Sequence, residues 1–261
     1  MATDSGPGLY AVTRGSGPRI VLVHGFTQNH RCWGPVADDL ARDHEMVLVD
    51  APGHGRSAGV EADLRTGADL IAEVGGQGTY LGYSMGARFC LQLALDHPDL
   101  VTRLVVVGAS PGIADEDSRS QRRERDGALA DRMAELGLPA FIDEWLAQPL
   151  FAGLDAARGL VRDRLDNTVE GLQSSLRLAG TGSQPSLWPR LEELAMPVLV
   201  VTGASDHKFC AIADEMVPAI GPNARHLVVP TAGHAAHLEN RDAFLSLLRA
   251  WLRKPQVQRT S

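Results

Sequence analysis

Ser84 lies in the pentapeptide G-Y-S-M-G, which runs from Gly82 to Gly86 and carries the G-x-S-x-G pattern. The apolar run Thr79 to Leu81 precedes it, and the helical pattern A-R-F-C-L-Q-L-A-L follows. In this strand-to-helix context, the pattern predicts a tight turn that exposes the serine hydroxyl at the edge of a sheet. Glycines stand two residues before and two residues after the serine, because a side chain at Gly82 or Gly86 would collide with its neighbours. Ser84 is therefore the candidate catalytic serine.

Two further residues follow apolar runs in the order that a catalytic serine requires. Asp206 ends the sequence G-A-S-D after the run P-V-L-V-V-T, and His234 ends A-G-H after H-L-V-V-P. The chain order Ser, Asp, His is one of those in which catalytic triads occur. We predict that His234 accepts the Ser84 proton, and that Asp206 fixes the imidazole tautomer and stabilises the imidazolium. His237, three residues further on, is the alternative histidine.

Backbone N–H groups near Ser84 are predicted to bind a developing oxyanion. The sequence H-G-F follows the first clear apolar run, and we expect the N–H groups of Phe26 and Met85 to point at one substrate oxygen. Loss of one such donor lowers the rate roughly 100- to 1000-fold in other enzymes, so this loop is important although it supplies no side chain. We interpret His24 and the turn Asp50 to Ser57 as structural.

Short apolar runs without polar alternation supply the strands that would position these residues. They are Arg19–His24, Glu45–Asp50, Thr79–Gly82, Leu104–Gly108, Pro197–Gly203 and Ala224–Val229. Such runs are typical of parallel strands covered on both faces, and the segments between them are long enough for crossover helices. The sequence therefore predicts an α/β fold with a mostly parallel central sheet flanked by helices.

The apolar runs stop between about residues 112 and 189. Amphipathic, arginine-rich stretches replace them, and two of these stretches, Ser118–Leu136 and Pro139–Leu146, are predicted helices. An insertion without strands, placed between two strands of a sheet, is typical of a helical cap over an active site. We therefore predict a single domain, residues 1–261, with a helical cap at about 112–189.

Charge and composition restrict the classes of partner. The chain has 25 Lys+Arg and 32 Asp+Glu, and its net charge of −7 disfavours nucleic acid and anionic membranes. We expect a small molecule instead, and the arginine cluster at Arg119–Arg125 in the predicted cap favours a carboxylate, which arginine binds bidentately. The N-terminus has no secretory pattern and no apolar run reaches the length of a membrane span. We expect a cytoplasmic protein that is a monomer or a small homo-oligomer.

The cysteines indicate neither a disulfide framework nor a zinc site. Cys32, Cys90 and Cys210 are odd in number and have no Cys-x-x-Cys or Cys/His ligand spacing. We expect all three to be buried as small apolar residues.

Five motifs together resemble those of the α/β-hydrolase superfamily over essentially the whole chain: H-G-F, D-x-P-G-H-G-x-S, G-Y-S-M-G, G-x-x-D and G-H. Further motifs are similar to those of the 2-succinyl-6-hydroxy-2,4-cyclohexadiene-1-carboxylate synthase family of menaquinone biosynthesis (the synthase family). These lie in and around the predicted cap: G-Y-S-M-G-A-R ending at Arg88, S-P-G-I, R-x-x-R-R-x-R-D at Arg119–Asp126, W-L-A-Q-P-L-F at Trp145–Phe151, the run Ser175–Trp188, and G-A-S-D-H-K-F at Gly203–Phe209.

The resemblance implies a lyase rather than a hydrolase. In the synthase family, the serine–histidine pair removes a ring proton α to the succinyl carbonyl of an enolpyruvyl precursor, and pyruvate leaves. By position, the implied carboxylate-binding residues are Arg88, Arg122 and Arg164, and the implied pocket residues are Tyr83, Trp145 and Phe151. The oxyanion site would then hold an enolate oxygen. The resemblance implies no metal and no organic cofactor.

Some alternatives stay open at this point. The register across Arg158–Asn167 leaves Arg162 as an alternative to Arg164, and the second glycine of the family's G-G-R is Ala87 here. A carboxylesterase or C–C bond hydrolase with an acyl-serine intermediate would use the same triad, and only the arginines of the cap argue against it. A third hypothesis is a non-catalytic receptor for a small acid, which the intact order Ser, Asp, His disfavours.

Overall fold

One seven-stranded sheet organises the computed structural model, which describes residues 8–154 and 160–254. Its strands are β1 (Ala11–Gly15), β2 (Arg19–Val23), β3 (Glu45–Val49), β4 (Gly78–Tyr83), β5 (Val101–Val107), β6 (Val198–Gly203) and β7 (Ala224–Val229). They lie in the order β1-β3-β2-β4-β5-β6-β7. β1 is antiparallel to β3, and every other neighbouring pair is parallel. The predicted mostly parallel sheet is confirmed.

Helices cover both faces of the sheet and fill one long insertion. In the described ranges they are α1 (Gly34–Leu40), α2 (Leu64–Gly75), α3 (Met85–Asp96), α4 (Glu116–Leu136), α5 (Leu138–Leu146), α6 (Val161–Arg164), α7 (Val169–Ala179), α8 (His207–Ile220), α9 (Ala236–Glu239) and α10 (Arg241–Leu252). Helices α4 to α7 all lie between β5 and β6. The helical insertion between sheet strands is therefore confirmed. Within the described residues, no helix combines the length and hydrophobicity needed to span a membrane.

The strands are continuously apolar because each central strand is buried on both faces. In β2, Val21 and Val23 belong to the apolar cluster that also contains residues of α2, α3 and α8. Ile20 and Leu22 belong to the cluster on the other face, which contains residues of α1 and α10. Successive side chains of a strand point to opposite faces, so two apolar layers require apolar residues at every position.

The insertion has a small apolar core of its own. Met133 of α4, Phe141 and Ile142 of α5, and Leu172 of α7 are buried together. Phe26, from the loop after β2, packs against this cluster. The contact joins the cap to the part of the sheet that carries the predicted oxyanion loop.

Two features differ from the sequence-based expectations. The sequence does not predict β1, because its residues A-V-T-R-G form no apolar run and the strand lies half-exposed at the edge of the sheet. The expectation of three buried cysteines is wrong for Cys210, which is partly exposed, whereas Cys32 and Cys90 are buried. Cys210 has a polar environment, because its sulfur lies 3.1 Å from the Thr202 hydroxyl oxygen.

The turn between β4 and α3 depends on two glycines. A Cβ on Gly82 would lie 2.4 Å from the Gly86 carbonyl oxygen, and a Cβ on Gly86 would lie 2.1 Å from the Val23 carbonyl oxygen. Between them, Ser84 has φ 51° and ψ −110°, a conformation that residues with a side chain rarely adopt. A hydrogen bond from the Ser84 N–H to the Val107 carbonyl, 2.8 Å long, holds the turn against β5.

We expect Gly86→Ala to lower the free energy of unfolding by about 2 kcal/mol or more, because the added methyl group must displace the backbone of β2. Gly127→Ala is the matched control, since Gly127 lies inside α4 and no heavy atom lies within 4 Å of its added Cβ. This change should raise stability by ~0.5–1 kcal/mol, because alanine is the better helix former. Urea unfolding followed by circular dichroism measures both, and a Gly86→Ala protein as stable as the wild type would contradict this description of the turn.

Candidate active site

Ser84, Asp206 and His234 meet at the carboxyl edge of the sheet. Ser84 directly follows β4, whereas Asp206 and His234 lie in the segments that follow β6 and β7. The Nε2 atom of His234 is 3.1 Å from Ser84 Oγ, and its Nδ1 atom is 2.8 Å from Asp206 Oδ2. A chain of hydrogen bonds therefore connects the Ser84 hydroxyl to the Asp206 carboxylate.

The directions of these hydrogen bonds follow from the groups themselves. An ionised carboxylate only accepts, so the proton of neutral His234 lies on Nδ1 and Nε2 is free to accept the hydroxyl proton of Ser84. Asp206 and His234 are buried, at 7% and 3% exposure, whereas Ser84 is half-buried. Burial from water strengthens the pairing of the carboxylate with the imidazole, and more so with an imidazolium. The arrangement can thus deprotonate Ser84 and hold the proton on His234.

Packing fixes the positions of the two buried members. Asp206 caps the N-terminus of α8, where its Oδ1 atom accepts the N–H of Phe209 at 3.4 Å. The His234 ring lies among aromatic rings, with centroid separations of 4.7 Å to Phe209 and 5.4 Å to Tyr83. These contacts restrict the rotation of the imidazole, so the alignment with Ser84 is built before any ligand binds.

A cavity of about 340 Å³ lies beside Ser84. The predicted site residues on its wall are Phe26, Tyr83, Ser84, Met85, Arg88, Arg122, Trp145, Phe151, Arg164 and His234. Asp206 is not on this wall and contacts the site through His234. The cavity has the size of a pocket for a small organic molecule, and it combines aromatic side chains with arginines. The structure thus brings the predicted binding residues together in one place.

A family model described as alpha/beta hydrolase fold matches residues 18–241. The 2-succinyl-6-hydroxy-2,4-cyclohexadiene-1-carboxylate synthase of Serratia proteamaculans (strain 568) is 32% identical over 247 residues, which cover 91% of this chain and 94% of that protein. The protein of the same name from Enterobacter sp. (strain 638) is 34% identical over 244 residues, which cover 90% of this chain and 92% of that protein. The chain belongs to the synthase family. The resemblance to the synthase family is confirmed.

Two solved structures place this family within the wider fold. MenH from S. aureus has a TM-score of 0.87 and 28% sequence identity, covering 93% of this chain and 97% of that chain. A thermophilic esterase from Thermogutta terrifontis has a TM-score of 0.81 and 22% identity, covering 94% and 93%. Since an esterase shares the fold, the fold alone does not decide between a lyase and an ester hydrolase.

Arg88 is a buried cation at the cavity wall, on α3. Its Nη1 atom donates to the Ala179 carbonyl at 2.8 Å and to Gln184 Oε1 at 3.0 Å. Burial lowers the pKa of Arg88 to about 10, and the neighbouring Arg122 contributes to the decrease. The guanidinium therefore remains charged at neutral pH, although it is surrounded by protein.

Arg122 differs from Arg88 because it has an acidic partner. Its Nε atom donates to Asp126 Oδ1 at 2.7 Å, one turn further along α4, and its side chain is 38% exposed. The buried Asp126 also accepts the N–H of Gly182, at 3.1 Å, which ties α4 to the loop after α7. Among the arginines at 119, 122, 123 and 125, only Arg122 reaches the cavity wall. This placement agrees with the position implied by the resemblance.

Arg164, at the end of α6, is 1% exposed and also lies on the cavity wall. Its Nη1 atom donates to the Thr27 hydroxyl and, at 3.4 Å, to the Phe26 carbonyl. The alternative residue, Arg162, is exposed and is not on the wall. The structure therefore favours Arg164, whereas Arg158, at the start of the ambiguous segment, lies outside the described residues.

Several other wall residues received no site role from the sequence, among them Ser110, Ile113, Ser175, Leu176 and Ile212. All of these except Ile212 lie in the motifs S-P-G-I and Ser175–Trp188. Ser110 lies three residues after the end of β5, and its position near a strand end is a signal that could have indicated it. The residues of α7 are identifiable only once the face that the helix turns to the cavity is known. The sequence leaves Lys208, two residues after Asp206, open between a contribution to the positive charge of the site and a surface role; the structure places it on the wall.

Buried histidines near the triad hold the surrounding loops. His24 accepts the N–H of Ala51 at 3.0 Å, and His54 accepts the N–H of Thr27 at 3.3 Å. They join the loop after β2 to the loop after β3, in agreement with the structural interpretation of His24. The alternative catalytic histidine, His237, packs among aromatic rings and is not on the cavity wall.

These histidines predict acid sensitivity of the fold. Burial lowers the pKa of His24 to about 4 and the pKa of His54 and of His237 to about 3. Because the unfolded chain binds these protons at a pKa of about 6.5, the stabilisation is present above that pH and is lost as the pH falls below it. Each histidine should lower the free energy of unfolding by roughly 2 kcal/mol between pH 7 and pH 5.

Urea unfolding at several pH values between 7 and 5 measures this loss. His237→Phe keeps an aromatic ring among Trp33, Tyr83 and Phe244. On acidification this variant should lose less stability than the wild type, and the difference should be about the contribution of one histidine. Identical pH slopes for the variant and the wild type would show that His237 is not a source of the acid sensitivity.

Proposed function

We propose that the protein is a carbon–oxygen lyase of menaquinone biosynthesis. It eliminates pyruvate from 2-succinyl-5-enolpyruvyl-6-hydroxy-3-cyclohexene-1-carboxylate and yields 2-succinyl-6-hydroxy-2,4-cyclohexadiene-1-carboxylate, the compound for which the synthase family is named. The observation that carries this proposal is the convergence of Arg88, Arg122 and Arg164 on one cavity beside the Ser84–His234 hydrogen bond. The substrate has three carboxylates, one on the succinyl group, one on the enolpyruvyl group and one on the ring.

In the proposed reaction, Ser84 and His234 transfer a proton. His234 takes the hydroxyl proton of Ser84 while the serine oxygen takes the ring proton α to the succinyl carbonyl. The electrons of the broken C–H bond shift through the ring, and the bond between ring carbon 5 and the enolpyruvyl oxygen breaks. The released enolpyruvate gains a proton on its methylene carbon and becomes pyruvate. Asp206 stabilises His234 while it carries the positive charge.

The N–H groups of Phe26 and Met85 bind the enolate oxygen that forms as the proton leaves. Two features support this role. Both residues lie on the cavity wall near Ser84, and Met85 is the first residue of α3, whose initial N–H groups have no acceptor within the helix. Phe26 is also braced by the cap, because its ring centroid is 5.3 Å from that of Trp145. Donors that are fixed in advance stabilise the developing charge without reorganisation.

The remaining wall residues orient the substrate. The arginines Arg88, Arg122 and Arg164 bind its carboxylates with charge-assisted hydrogen bonds, which are stronger than neutral ones. The aromatic residues Tyr83, Trp145 and Phe151 cover the ring and exclude water. A hydrolase of simple esters would need few of these cations, so the composition of the wall favours the lyase over a carboxylesterase or C–C bond hydrolase. The proposal requires no metal and no organic cofactor.

We also propose the setting in which the enzyme acts. The net charge of −7 supports a small molecule as its partner, with no role for nucleic acid or a membrane surface. A biosynthetic role supports a cytoplasmic location. The continuous sheet supports one domain over residues 1–261 with its cap at about 112–189, which acts as a monomer or a small homo-oligomer.

Single and double substitutions test whether the triad acts as a unit. Ser84→Ala and His234→Ala should each lower kcat by roughly 1000-fold or more, because each removes the proton-transfer path. Asp206→Asn should retain the fold and lose somewhat less activity. The double variant Ser84→Ala/His234→Ala should be scarcely worse than either single variant, as measured by pyruvate release. Losses that multiply in the double variant would refute a joint role.

The reaction itself is tested by following both pyruvate and a covalent intermediate. We expect the wild-type enzyme to release pyruvate from the enolpyruvyl substrate, detected with lactate dehydrogenase and NADH. Intact-protein mass spectrometry should show no adduct on Ser84, since a proton-transfer mechanism forms no acyl-enzyme. Hydrolysis of p-nitrophenyl esters should be feeble at most. A stoichiometric burst with an acyl-Ser84 adduct and no pyruvate would establish the ester hydrolase instead.

A further inference from the structure

Arg88, on α3, is a buried cation of the cavity wall whose hydrogen-bond acceptors are all neutral. Its side chain is buried and donates to a backbone carbonyl and to the amide oxygen of Gln184. Within residues 8–154 and 160–254, no carboxylate forms an ion pair with it, whereas Arg122 is paired with Asp126. The Asp126 carboxylate also attracts Arg88, but its ion pair is with Arg122. A buried charge without an ion-pair partner of its own is costly, and a ligand that brings an anion offsets this cost.

Gln184 is itself fully buried, at 0% exposure. Because a guanidinium only donates, the atom that faces Arg88 must be the amide oxygen. The Nε2 atom of Gln184 has no hydrogen-bond partner among the described residues. A methionine would fill a similar volume without burying an amide N–H group, so the side chain is best explained by its acceptor oxygen.

The position of Gln184 leaves it little freedom to move. Its backbone N–H donates to the Gly180 carbonyl at 3.1 Å, in the loop that follows α7. On the other side is the loop after β5, where a Cβ added to Gly112 would lie 3.1 Å from Gln184 Nε2. The amide is therefore wedged between Arg88 and Gly112, both of which are next to the cavity.

We propose that Gln184 is a positioning residue that holds Arg88 in place as an uncompensated cation for one substrate carboxylate. The inference rests on the proposed function and deepens it, because it distinguishes the arginines of the wall. A glutamate at this position would form an ion pair with Arg88 and satisfy its charge within the protein. The amide aligns the guanidinium equally well and leaves the charge for the ligand.

The test uses Gln184→Glu and Gln184→Met with two measurements. One is the steady-state kinetics of pyruvate release; the other is the Kd of 2-succinylbenzoate, a stable ring with a succinyl group and a carboxylate, by isothermal titration calorimetry. Gln184→Glu should raise KM and Kd roughly 10-fold or more, with a much smaller change in kcat, because Arg88 loses its free charge. Gln184→Met should have a smaller effect, since the charge remains and only the alignment is lost.

Gln77→Glu is the matched control, because it makes the same change in net charge at an exposed position just before β4. It should leave KM and Kd unchanged. Thermal unfolding of each variant separates a loss of binding from a loss of folded protein. If Gln184→Glu does not fold, the KM and Kd of Gln184→Met, compared with those of the wild type, test whether Gln184 positions Arg88.

A double-mutant cycle shows whether Gln184 acts through Arg88. In the Arg88→Met background, Gln184→Glu should weaken binding of 2-succinylbenzoate little further, because its target has been removed. An unchanged Kd in the single variant, or an equal loss in both backgrounds, would overturn the inference. So would a wild-type protein that does not bind the probe. A wild type that binds the probe but releases no pyruvate would refute the proposed function and leave this inference standing.

Discussion

The contact of Gly86 with the end of β2 determines where chemistry can take place in this molecule. The Cα of Gly86 lies so close to β2 that a Cβ on it would be 2.1 Å from the Val23 carbonyl oxygen and 2.5 Å from the His24 carbonyl oxygen. The first turn of α3 is therefore pressed against the strand that leads into the Phe26 loop. One backbone contact thus places the Ser84 hydroxyl and both predicted oxyanion donors at the same sheet edge. Any side chain at this position would separate the groups whose proximity the chemistry requires.

Two arginines of the cavity wall, Arg122 on the cap helix α4 and Arg88 on α3, carry their charges in two different ways. Arg122 shares its charge with Asp126, so this pair is nearly neutral without a ligand. Arg88 meets only neutral acceptors and stays positive inside the protein. The cavity is thus electropositive within a protein of net charge −7, and it favours a ligand that supplies several carboxylates.

The sequence is informative wherever a local rule decides the structure, and less so where distant segments meet. The runs that end near Ser84, Asp206 and His234 indicate strands because burial on both faces requires apolar residues at each position. The edge strand β1 gives no such signal, since each of its residues is partly or fully exposed. The pairing of Arg88 with Gln184, 96 residues apart, leaves no pattern in either segment. On α6, a step of two residues separates the exposed Arg162 from the buried Arg164, and periodicity in so short a helix cannot decide between them.

The triad by itself does not distinguish addition to a carbonyl from removal of a proton, because both begin with the same transfer from Ser84 to His234. What differs is the substrate atom that lies next to the serine oxygen. Carboxylates held at Arg88, Arg122 and Arg164 would fix the ring at several points, and a shift of about 1 Å is enough to change the reacting partner. The arginines of the wall then select the reaction, and their positions depend on partners such as Gln184 and Asp126, which are not on the wall. The specificity of the site is then a property of how the cap packs on the sheet.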